Sequence, residues 1–214
     1  MRSTTSVKSF QALLALIAVF AMPVVLADSY KRITHEIDAS TFERLDIEMS
    51  VGEMDIEIYD GDVIELDIQL EADRNWFSFR RGNVDDVELD QRASGDTLYI
   101  GIDRDRIEQT WRARIPASLA LTIEVGVGDV GVEGLNNDLN LDLGVGAARV
   151  EVNTENYHTV AATAGVGDAV IRGFAGGADN ERHALVGADA YYSGDGEFEI
   201  RVEVGVGDAQ VRHR

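Results

Sequence analysis

The 214-residue chain contains no cysteine. That excludes a disulfide framework, a lipid-modified N-terminal cysteine and any thiolate metal site, so stability has to come from the packed core alone. Positive charge is scarce: 19 Lys and Arg stand against 39 Asp and Glu, for a formal net charge of −20. Such a field repels a phosphate backbone, which argues against nucleic acid as a partner, and it disfavours an anionic lipid surface. Divalent cations and basic proteins stay open as partners, and the acidity also keeps a β-rich chain soluble. The histidines are His35, His158, His183 and His213, and no two stand at i,i+4. Zinc spacing is therefore lacking. There is no Gly-x-Ser-x-Gly elbow and no glycine-rich phosphate loop with its lysine. Acidic pairs such as Asp85-Asp86 say nothing of glycosidase chemistry in a chain with this many carboxylates. They read as a solvated face.

The longest apolar stretch is N-terminal. Arg2 and Lys8 precede an apolar run at 12–20, Pro23 breaks it, and Val25-Leu26-Ala27 puts modest or small residues at −3 and −1. This is the pattern of a secretory signal peptide over residues 1–27, with cleavage expected between Ala27 and Asp28. The rival reading is a membrane anchor, since residues 12–27 could almost span a bilayer. Cleavage removes two cations and no anions, leaving 17 basic and 39 acidic residues and a net charge of −22. The mature chain is expected to be periplasmic or secreted, with no membrane span.

What the chain has in quantity is glycine, 21 residues of it. Much of it falls in one phrase, met as Val125-Gly-Val-Gly-Asp129, Leu143-Gly-Val-Gly-Ala147, Ala164-Gly-Val-Gly-Asp168, Ala184-Leu-Val-Gly-Ala188 and Val204-Gly-Val-Gly-Asp208. The second glycines, Gly128, Gly146, Gly167, Gly187 and Gly207, are spaced by 18, 21, 20 and 20 residues. A period of that size is the mark of stacked repeats. Counting from each anchor glycine, positions −7, −5, −3 and −1 are apolar in nearly every copy, as in Leu121, Ile123, Val125 and Val127. That is a half-buried strand. Apolar residues return at +2 and +4, as in Val130 and Val132, so one residue of parity is lost at the corner. A bend there would place the anchor glycine and the following Asp outward, with the −1 valines inward. The fourth copy is irregular, with Asn180 and Arg182 on core columns. A further copy is anchored on Gly52, flanked by Ile47, Met49 and Val51 before and Met54, Ile56 and Ile58 after.

Between that copy and Gly128 the pattern is of ordinary antiparallel strands. Hairpins are expected around Asp60-Gly61 and around Ser94-Gly95-Asp96. The expected fold class is all-β. It is a single-domain β-solenoid, a β-helix-like stack of ~20-residue Gly-x-Gly-Asp rungs. Residues 28–115 form its antiparallel N-terminal part and 116–214 its repeat part.

The segment Trp111-Arg-Ala-Arg-Ile-Pro-Ala-Ser-Leu-Ala-Leu-Thr-Ile-Glu-Val-Gly-Val-Gly-Asp-Val-Gly-Val-Glu-Gly134 resembles the adhesin-like, "toast-rack" β-repeat family of bacterial envelope proteins. The resemblance extends over essentially all of 30–214. It implies an extracytoplasmic β-solenoid, sometimes coupled to envelope-stress signalling, and it supplies no catalytic or ligand residues to carry over.

Three candidate sites follow from the residues. Asp129, Asp168 and Asp208 are candidate calcium ligands. Ala147 and Ala188 replace them in the second and fourth copies, so a sequential stack would separate them by a rung. Isolated carboxylates do not supply the six to eight oxygens calcium takes, so turn-capping is the preferred reading. Trp76, Phe79, Arg80 and Arg81 gather aromatics and arginines of the kind enriched at interfaces, although the same alternation fits a plain strand. Tyr191 and Tyr192 fall in the irregular fourth copy, where one ring must face outward. The glycines at −2, such as Gly126 and Gly144, would form a bare strip, explained by a partner or by the tight corner itself. The functional expectation is a non-catalytic envelope scaffold without a cofactor, whose partner is an envelope protein or surface polymer. The alternatives are a calcium-dependent binding protein and an envelope enzyme.

Overall fold

The structure is a computed structural model that describes residues 30–72, 84–104, 107–182 and 186–214. Alternating apolar residues form strands throughout, and no helix occurs among the described residues. In chain order the strands are β1 (Tyr30–Asp38), β2 (Arg44–Tyr59), β3 (Val63–Ala72), β4 (Asp90–Ser94), β5 (Thr97–Ile102), β6 (Ile107–Pro116) and β7 (Ala120–Leu135). There follow β8 (Leu139–Val152), β9 (Tyr157–Val166), β10 (Ala169–Arg172), β11 (Asp179–Arg182), β12 (Ala188–Ser193) and β13 (Phe198–His213). They make one large mixed sheet with the main order β1-β3-β6-β2-β7-β8-β13-β9-β12-β11, and it does not close on itself.

The long strands carry two legs. In β7, Leu121, Ile123 and Val125 are buried before the corner and Val130, Val132 and Leu135 after it. Both sets belong to a single hydrophobic cluster. One strand can bury both legs against the same core only by turning at the glycine, so the sheet folds there into two leaves. The first leaf contains β5 beside residues 44–49 of β2. The second contains β6 beside residues 52–59 of β2, with β3 and β1 beyond it.

The anchor glycines are in register: Gly52 faces Gly128, Gly128 faces Gly146, and Gly146 faces Gly207. Their strands run parallel. Two sequence expectations are corrected here. The copies do not line up in chain order, because β13 lies between β8 and β9. The inward residues explain the choice. β13 offers Ile200, Val202, Val204 and Val211, all buried, and suits a central position between two partners. The third copy is alanine-rich inside, with Ala162, Ala164 and Ala169. Away from the corner, Tyr157, Phe174, Tyr192 and Phe198 form an aromatic cluster, with Phe174 and Tyr192 ring centroids 4.5 Å apart. The fourth copy is not a parallel unit at all: β12 runs antiparallel to β9, pairing Ala188 with Ala164 and Tyr192 with Val160.

The N-terminal part is mixed rather than antiparallel. The expected hairpin around Ser94-Gly95-Asp96 forms between β4 and β5. The one around Asp60-Gly61 does not, because β6 lies between β2 and β3. β6 brings Trp111, fully buried, whose indole N–H donates to the Gln109 Oε1 at 2.9 Å. Gln109 in turn donates to the Ile102 carbonyl at 3.0 Å, which satisfies both ends of a buried amide. The order β3-β6-β2 thus seats the largest side chain of the segment in the core.

Candidate functional site

The corner is built from two glycines. At the anchor, Gly146 has φ 142°, and a Cβ there would stand 1.6 Å from the Gly128 carbonyl oxygen. At −2, a Cβ on Gly144 would stand 2.5 Å from the Gly126 oxygen. Where glycine stands at these positions, neighbouring corners approach too closely for a side chain; at −2 the Gly52 copy has Ser50 instead. The −2 strip is accounted for by this contact between copies.

The corner overturns one expectation about the valines. Inward residues stop at −3 and resume at +2, so four consecutive residues face out in each parallel copy. The −1 valines are exposed: Val127 at 46 %, Val145 at 45 % and Val206 at 47 %. The two inner faces converge at the bend and leave no volume for a side chain pointing inward. Because the copies are in register, the valines align. Val51 faces Val127, Val127 faces Val145, Val145 faces Val206 and Val206 faces Val166. The result is an apolar ridge that runs across five strands. Scattered surface valines need no explanation, but a contiguous ridge of them does.

Carboxylates line both flanks. On the second leaf, Asp129 accepts a hydrogen bond from the Ala147 N–H at 3.0 Å, and Asp208 accepts one from the Asp168 N–H at 3.1 Å. Asp129 and Asp208 thus clamp one corner to the next and are spent on backbone donors. The reordered strands also place Asp168 beside Asp208, where the chain order had predicted separation. Among the described residues, no group of three His, Asp or Glu is arranged to hold a metal ion.

On the first leaf the −4 positions form a ladder of a different kind. Glu48 faces Glu124, Glu124 faces Asp142, and Asp142 faces Glu203. Like charges directly opposite on neighbouring strands repel. Between this ladder and the valines lies a shallow groove whose floor is Ser50, Gly126, Gly144 and Gly205. Sequence reasoning missed both the ridge and the ladder. The signal was present in the five-residue step from −3 to +2, and in the column Glu-Glu-Asp-Glu at −4.

The aromatic candidates divide. Tyr192 is buried against Phe174 in the aromatic cluster and is removed as a binding residue. Tyr191, the next residue, faces out at 49 %. Trp76, Phe79, Arg80 and Arg81 lie outside the described residues.

No family model matches this sequence, and no curated protein does either. Solved structures do. A candidate cell adhesion protein from Clostridium sporogenes ATCC 15579 superposes with a TM-score of 0.52 at 13 % identity, covering 86 % of this chain and 100 % of that one. The likeness is one of fold. A candidate adhesin from Bacteroides fragilis NCTC 9343 aligns over 86 % of this chain and 97 % of its own at 11 % identity, but its TM-score is 0.26. No helix among the described residues is long and apolar enough to cross a membrane.

Proposed function

We propose that this chain is an exported, non-catalytic β-repeat protein whose in-register corners form a solenoid-like scaffold for binding another macromolecule. The observation that carries the reading is the valine ridge, five exposed residues aligned across neighbouring strands. A chain that only needed to be soluble would place polar residues there. The fold likeness to a candidate cell adhesion protein agrees with an adhesin-like role, and the resemblance to the toast-rack family extends the proposal to a link with envelope-stress sensing. Export is supported by the n-region, the apolar run and the small residues before Asp28.

Two measurements test this. Mass spectrometry of the protein from fractionated cells should find an N-terminus at Asp28 outside the cytoplasm; a chain retaining residues 1–27 in the cytosol would defeat the export reading. A photo-crosslinking amino acid at Val145, on the ridge, should capture a macromolecule in intact envelopes, whereas the same group at the exposed Asp195 should not. Equal capture at both sites, or none at either, counts against the ridge as a binding surface.

A further inference from the structure

We infer that the valine ridge and its adjoining groove take a cationic amphipathic helix, a partner segment with one apolar stripe flanked by Lys or Arg. This rests on the reading of the ridge as a binding surface and names its partner's chemistry. Three observations select it. The first is charge. The ridge is bordered on one side by Glu48, Glu124, Asp142 and Glu203 and on the other by Glu53, Asp129 and Asp208. Glu203 has Arg201 at 2.9 Å, but no described cation pairs with Glu48, Glu124 or Asp142. Some outer carboxylates elsewhere do have cations: Arg32 meets Asp67 at 2.7 Å, and Arg114 meets Glu65 at 3.0 Å and Glu57 at 3.5 Å. The ladder beside the ridge thus carries like-charge repulsion, and a cationic partner relieves it.

The second observation decides against a second copy of this chain. A symmetric pair of ridges would bring like-charged borders together, on a chain with a formal net charge of −20. The third is spacing. The ridge crosses the strands, so its side chains recur at the inter-strand distance of about 4.8 Å. Side chains on one face of a helix recur at about 5.4 Å, and five valines span about 19 Å, the length of roughly 13 helical residues. An extended strand repeats its faces at about 6.8 Å and falls out of step at once. The bare backbone of Gly126, Gly144 and Gly205 lets a cylinder settle between ridge and ladder. An apolar helical stripe then meets the valines while its basic flank meets the carboxylates.

The test uses a synthetic 18-residue leucine–lysine peptide with one apolar face, a scrambled peptide of the same composition, and the full chain at about 0.15 M salt, where only charges within about 8 Å act strongly. Binding is measured by fluorescence anisotropy, with circular dichroism to show that each variant is folded. The amphipathic peptide is expected to bind at one per chain and at least tenfold more tightly than the scrambled one. Substituting Val127→Ser, Val145→Ser and Val206→Ser together, with no change of charge, should weaken binding at least tenfold. Substituting Glu124→Gln with Asp142→Asn should weaken it as much and flatten its salt dependence. Asp60→Asn with Asp195→Asn, an equal change of charge away from the ridge, should leave it unchanged. Equal binding of the scrambled peptide, an equal loss in the control, or no loss in the valine variant overturns the inference. So does a ridge-dependent dimer in sedimentation. If the peptide fails while Val145 still crosslinks a macromolecule, the cationic helix is wrong and the binding surface stands; if both fail, both are wrong.

Discussion

A single methyl group at Gly146 is where the repeat is most vulnerable. The residue has φ 142°, and its missing Cβ would overlap the Gly128 oxygen at 1.6 Å, with backbone on both sides and no room to yield. Gly146→Ala is expected to cost more than about 3 kcal/mol or to abolish folding. Gly95→Ala, at φ 63° in an open turn, should cost only about 1 kcal/mol. Urea midpoints of the two variants against the parent check the contrast, and equal losses would refute the close-approach account. Tyr157 is vulnerable in another way. Burial, with Asp138 nearby, pushes its hydroxyl pKa well above the usual value, and that hydroxyl donates to the Leu135 carbonyl at 3.0 Å. A folded pKa above the unfolded one gives stability that is complete below the unfolded value of about 10 and is lost as pH rises beyond it. The parent's melting temperature should therefore fall between about pH 10 and 11.5 more steeply than that of Tyr157→Phe. The phenylalanine variant should start about 1 kcal/mol less stable at neutral pH for want of the hydrogen bond. Parallel curves would show that Tyr157 does not titrate differently in the two states.

At the scale of the element, much was legible and the failures have physical causes. Period-2 alternation located the strands, and the glycine spacing located the corners that bring Gly52, Gly128, Gly146 and Gly207 together. Alternation alone does not reveal how many residues a bend turns outward. Val127 therefore reads as core in the sequence, and it is half exposed at the corner. The direction of β12 was hidden for a similar reason: a strand has the same alternation read either way, and Ala188, Ala190 and Tyr192 are buried in the antiparallel sense. The candidate site was legible in part. The role of the repeat aspartates as turn caps was readable, although the donors they reach, Ala147 and Asp168, lie on neighbouring strands. The carboxylate ladder required the register, since Glu48 and Glu124 are distant in sequence and adjacent across the sheet.

For the whole molecule, the mixed strand order matters most. β13 pairs with β8 from Ile200 to His213 and with β9 from Phe198 to Val206, so it holds together two strands that do not pair with each other. Removing residues 198–213 is expected to lose cooperative unfolding rather than to trim one edge. Two strand faces would lose their partners, and open edges of that kind associate with other chains. Calorimetry should find no two-state transition in the shortened chain, and light scattering should find aggregates. A compact, cooperatively melting monomer would contradict this. β13 is also made some thirty residues after β9 ends. Whether the chain emerges from a ribosome or through an export channel, β8 and β9 are delivered before the strand that must lie between them. The sheet cannot zip from one end to the other as the polypeptide emerges. It must hold its middle open for a latecomer, which makes the newborn chain a natural client for a holding chaperone until that strand arrives.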